Sequence, residues 1–124
     1  MMKTFMTAET LYSSGEPTGV PILDEVAEQL RRSRIIRPAA LAKALGVRKG
    51  DLYGAIVLLT GLPLGDFICR WRLMQARDVL LGMAPAAARA DRGRRLDEAA
   101  RQCGWRSHRV MLRVARRYGF ELES

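Results

Sequence analysis

Lysine, histidine, cysteine and aromatic side chains are all scarce in this sequence. Only three of its 21 basic residues are lysine, there is one histidine (His108), and Phe, Trp and Tyr together make up 6%. So few aromatics argue against a β-sandwich, and a lone histidine has no partner with which to hold a metal. The two cysteines, Cys69 and Cys103, lie 34 positions apart with neither a CxxC pair nor a nearby histidine. That pattern predicts two reduced, buried thiols in a cytoplasmic protein, with a disulfide or redox sensor as the lesser alternative. No apolar run approaches the ~20 residues that cross a bilayer. The first seventeen residues, MMKTFMTAETLYSSGEP, lack the apolar stretch of a secretory signal. A glycine-rich phosphate loop, a Cys/His pair and an inward carboxylate dyad are also missing. The sequence therefore predicts neither an enzyme nor a cofactor.

Arginine and aliphatic residues are what remain. Hydrophobic residues form 48% of the 124, enough for a folded core and too many for a disordered basic tail. Lys and Arg number 21 against 13 Asp and Glu, a net charge of +8, and 18 of those bases are arginine. Arginine offers a planar fork that grips phosphate and guanine edges in a bidentate way, where lysine is a point charge. Residues 1–20 are polar and slightly acidic and read as a flexible N-terminal arm, which leaves the positive charge on 21–124. Apolar spacing, Pro at helix starts and Gly at helix ends predict helices over 21–32, 38–45, 49–60, 64–81, 96–103 and 107–118. Pro85 and Gly93 break the stretch 82–95, which reads as a linker. No segment alternates with period two, so the expected fold is all-α.

An internal repeat follows. A shift of 58 residues superposes Ala42 on Ala100, Gly46 on Gly104, Arg48 on Arg106 and Gly61 on Gly119. Under that shift Leu45 meets Cys103, Val47 meets Trp105, Leu52 meets Val110 and Ile56 meets Val114. Two helices that cross closely need a small residue at the crossing and a glycine where the chain reverses, which is the requirement of a helix-turn-helix.

LAKALGV at 41–47, Leu52, Ile56 and TGLPLGDFICRWRLMQARDVLL at 60–81 resemble the DNA-binding domain of AraC/XylS-type transcriptional regulators. LDEAARQCGW at 96–105 and Tyr118-Gly119 extend the likeness over about 22–120. The resemblance implies two helix-turn-helix motifs joined by a long connecting helix, inserted into successive major grooves of one duplex. The implied layout is an arm at 1–20, a first motif at 21–63, the connecting helix at 64–81, an inserted linker at 82–95 and a second motif at 96–124. It also implies a short form without the usual sensor domain. The chain departs from the family pattern in a second turn one residue shorter, a linker about eight residues longer and a missing proline after Gly119. Ile56, Val110 and Val114 stand where the family has aromatics.

Drawn as wheels, the two reading helices differ. The second is expected to bury Val110, Val114 and Tyr118, with Met111 beside them, and to present Arg109, Arg113 and Arg116. Ser107, His108, Arg109 and Arg113 are the candidates for base contacts, Ser107 also suiting the N-cap. Arg94, Arg95, Arg106, Arg116 and Arg117 are candidates for the DNA backbone. The alternative for such a run is a solvated basic face. The first helix, with Leu52, Ile56 and Leu59 inward, presents Asp51, Gly54, Val57 and Leu58, none of which donates to a base. There only Arg48, Lys49 and Tyr53 at the edge are backbone candidates. Val57 and Leu58 form a candidate patch for RNA polymerase or a second copy of the chain. Arg72 is expected either to pair with an acid such as Asp66 or to touch the DNA backbone. The leading expectation is a sequence-specific double-stranded DNA-binding regulator with no membrane partner. Its rivals are a protein-interaction module on the same scaffold and a non-specific architectural DNA binder.

Overall fold

The computed structural model describes residues 7–83 and 89–122, apart from the side chains of residues 89 and 90. Those residues form seven α-helices and no strand: α1 (Ala8–Ser14), α2 (Pro21–Arg32), α3 (Pro38–Leu45), α4 (Lys49–Thr60), α5 (Leu64–Leu81), α6 (Arg89–Gln102) and α7 (His108–Arg117). The all-α expectation holds. The chain divides into two compact units, and the boundary falls inside α5, between Trp71 and Arg72.

Local chemistry sets the helix ends. Pro21 and Pro38 open α2 and α3, where a missing N–H costs nothing. Asp24, in the first turn of α2, reaches back to accept from the Thr18 backbone N–H at 2.7 Å, its hydroxyl at 2.8 Å and the Gly19 N–H at 3.2 Å. Those donors hold its carboxyl below the usual aspartate range, the Thr18 backbone contribution being largest. Gly46 and Gly104 end α3 and α6 in the left-handed region, at φ 69° and 85°. After each, an amide bonds to the carbonyl five residues back: Val47 to Ala42 at 3.0 Å and Trp105 to Ala100 at 2.9 Å. The shift of 58 residues is therefore real in the backbone as far as these turns.

Beyond the turns the shift is 59. Arg48 holds the N-cap position of α4 without a side-chain cap and Ser107 caps α7, and the buried pair Leu52 and Ile56 is answered by Met111 and Ala115, not by Val110 and Val114. The second turn is one residue longer than the first, because the Ser107 hydroxyl accepts from the Val110 amide (3.2 Å) and so fixes where α7 begins. Val110, Val114 and Tyr118 are only half-buried. Val47 is 36% exposed and does not plug its turn as Trp105 plugs the other.

The first unit buries Leu23, Val26 and Leu30 of α2, Leu41 of α3, Leu52 and Ile56 of α4, and Phe67, Ile68 and Trp71 of α5. α3 contacts α2 on one side and α4 on the other. The second unit buries Leu73, Met74, Ala76 and Leu80 of α5 with Leu96, Ala99, Cys103, Trp105 and Met111. Here α6 lies against α7. With core residues for both units, α5 is apolar over far more than one stripe.

Two expected boundaries are corrected. The segment read as a flexible arm carries α1, whose Ala8 and Leu11 are buried. It is pinned by a Tyr12–Trp71 edge-to-face contact with centroids 5.2 Å apart, a Glu9–Arg70 ion pair at 3.2 Å and the Arg31 guanidinium on the Leu11 carbonyl at 3.1 Å. Seven residues hold too few apolar positions to show helical periodicity in sequence. The segment read as a linker is partly helix: α6 begins at 89 and carries Gly93 in its interior. Pro85 and the rest of 84–88 lie outside the described residues.

Candidate nucleic-acid interface

Helix α7 presents two unlike faces. Met111 and Ala115 are buried, while Arg109, Arg113, Arg116 and Arg117 are exposed on the opposite side. No hydrogen bond or ion pair joins any of those four guanidiniums to another described residue. Arg106, in the turn before α7, is exposed as well. Like charges repeated along one short helix repel, so the face stores unfavourable energy that a neighbouring anion would relieve. Arg116 and Arg117 also lie in the last turn, where positive charge suits the helix dipole.

The remaining candidates of this unit are engaged within the protein. His108 is half-buried, and its Nδ1 meets an Asp97 carboxylate oxygen of α6. Ser107 is the N-cap and accepts from the Val110 amide. Ser107 thus caps α7 itself, and His108 ties α7 to α6, so neither stands free on the outer face. Arg95 donates to the Leu80 carbonyl at the end of α5 (3.1 Å), and Arg94 lies 3.9 Å from Asp91. Arg94 remains largely exposed, but the half-buried Arg95 serves the fold. The sequence reading missed the Asp97–His108 contact. Its signal is an acid eleven residues before a histidine, across a turn whose length the sequence left misjudged.

Arg72 is fully buried, which closes a phosphate contact to it. It donates to the Gln75 side-chain oxygen at 2.5 Å, and burial lowers its pKa to about 10 despite the opposing influence of the neighbouring Cys103. Burial in turn raises the Cys103 thiol to about 11, with Arg72 opposing the rise. Both cysteines are free thiols.

In the first unit, Arg48, Lys49 and Tyr53 are exposed at the start of α4. The outward face of α4 carries Gly50, Asp51, Gly54, Val57 and Leu58, with Val57 37% and Leu58 64% exposed. With the shift of 59, the four outward arginines of α7 fall on Gly50, Gly54, Val57 and Leu58. Equivalent positions on two equivalent helices thus hold four cations in one case and no charge in the other.

A cleft of about 420 Å³ beside α1 and α2 is lined by Leu11, Ala27, Asp24, Glu28 and Arg31 among others. Four of its charged groups are engaged internally: Asp24 by Thr18, Glu28 and Arg32 by each other, and Arg31 by the Leu11 carbonyl and the Trp71 ring. Among the described residues no three His, Cys, Asp or Glu side chains gather as metal ligands, and no single helix is long and apolar enough to cross a membrane. Compared with models of known protein families, with curated proteins and with solved structures, the chain matches none.

Proposed function

We propose that this protein is a sequence-specific double-stranded DNA-binding transcriptional regulator of the AraC/XylS type. In this reading α3–turn–α4 and α6–turn–α7 are two helix-turn-helix motifs, α5 is the connecting helix, and α7 is the reader in the major groove. One observation carries the reading: four exposed, internally unpaired arginines share the face of α7 that looks away from its core. The two repeated turns support it, and the longer second turn removes one of the departures from the family pattern.

Arg109 and Arg113, nearer the start of α7, are assigned to base edges, and Arg106, Arg116 and Arg117 to phosphates. Arg48, Lys49 and Tyr53 clamp the backbone from the first motif. Ser107 and His108 position the helix. The test is a duplex-binding titration at several salt concentrations. About five phosphate contacts would give a slope of log K against log salt near −4.5. Affinity that ignores salt, or no binding at low ionic strength, overturns the reading.

A second reading rests on Leu58, an exposed leucine beside Val57 on a helix without free cations along that face. It makes α4 a docking surface for RNA polymerase or a second copy of the chain. Leu58→Ala, which adds no charge, should then weaken a concentration-dependent association while leaving duplex affinity unchanged.

A further inference from the structure

We infer that the operator is read as a single short block containing two G·C pairs separated by one base pair, and not as two half-sites a helical turn apart. The inference rests on the DNA-binding reading above and concerns how sequence is shared between the two motifs.

The argument starts from what each outward face can donate. A base edge in the major groove is distinguished by side chains that carry hydrogen-bond donors or acceptors in reach of it. Helix α4 offers Gly50, Gly54, Val57 and Leu58 at the positions where α7 offers its arginines. Glycine has nothing to reach with, the aliphatic pair makes at most methyl contacts, and the adjacent Asp51 is repelled by phosphate. Arg48 and Lys49 lie at or before the first residue of α4, off that face, where they meet the sugar-phosphate edge. This holds however the two units are arranged, because it depends on side-chain identity alone.

The spacing on α7 then sets the pattern within the block. Four residues separate Arg109 from Arg113, a rise of about 6 Å along a helix. Base pairs stack every ~3.4 Å, so two steps, about 6.8 Å, match that rise better than one or three. Each guanidinium takes the O6 and N7 of one guanine in a bidentate grip. Arg116 and Arg117 lie one turn further along α7, beyond the two reading positions, where they take phosphates at the groove edge.

The experiment is selection of duplexes from a random pool with the full chain, followed by binding measurements on single-base variants. The expected result is one enriched block of about five base pairs with two preferred G·C positions. Arg109→Ala should relax one of these and Arg113→Ala the other, each by about tenfold to a hundredfold. Arg48→Ala with Lys49→Ala should weaken all duplexes alike. Gly54→Arg, at a site where an added Cβ meets nothing within 4 Å, should create a new preferred position outside the block. Two enriched blocks about ten base pairs apart in the unaltered protein overturn this inference and leave the DNA-binding reading standing. Binding without any enriched block overturns the inference and the claim of sequence specificity together. Failure to bind any duplex overturns the reading on which the inference rests.

Discussion

Single side chains decide the register of the second half. Met111 occupies the position that period and repeat assigned to Val110, because the Ser107 hydroxyl, not the 58-residue shift, determines where α7 begins. A hydroxyl cap is visible in sequence, but its priority over the repeat is settled only by packing. Met111→Ala should destabilise the protein by about 2–5 kcal/mol, against well under 1 kcal/mol for the exposed Arg113→Ala, as read by chemical denaturation. The outward arginines were legible because any placement of α7 that hides its aliphatic residues exposes them. His108 was not, since its partner Asp97 lies across a turn. Cys103 gives a second prediction at this scale. Buried and raised to about 11, its thiol should resist a disulfide reagent at pH 8 in native Cys69→Ser protein and react fully once unfolded. Prompt reaction in the native state would contradict its placement.

At the level of elements, five of the seven helices among the described residues follow from apolar spacing together with proline at the start or glycine at the end. The helix α1 escaped because its stability comes from Trp71, Arg70 and Arg31, all distant in sequence, and the early start of α6 escaped because Gly93 reads as a breaker. A glycine inside a helix costs only about 1 kcal/mol relative to alanine, which neighbouring turns outweigh. The start of α2 carries a pH dependence. The Asp24 carboxyl lies below its unfolded value, so its contribution is complete above about pH 4 and is lost as pH falls through the lowered folded value. Asp24→Asn should therefore flatten the acid side of a Tm-against-pH curve and leave its neutral plateau lower. An acid limb identical to that of the parent protein would show that Thr18 and Gly19 do not hold the carboxylate. Gly104→Ala, at φ 85°, should cost about 1–2 kcal/mol from the left-handed backbone alone, seen as a lower Tm.

For the whole molecule, α3–turn–α4 and α6–turn–α7 share a turn closed by the same five-residue backbone hydrogen bond and differ on the outer face of the second helix, cationic on α7 and neutral on α4 apart from Asp51. That difference is what the net charge of +8 leaves undetermined, since composition says how much positive charge there is and not which helix displays it. The most direct measurement is a fluorescence-anisotropy titration of labelled duplex with the parent protein and with the combined Arg109→Ala, Arg113→Ala, Arg116→Ala variant, both checked for an unchanged helical spectrum. A salt-sensitive affinity that falls by at least a hundredfold in the variant is the predicted result. Equal affinities for the two folded proteins would contradict it.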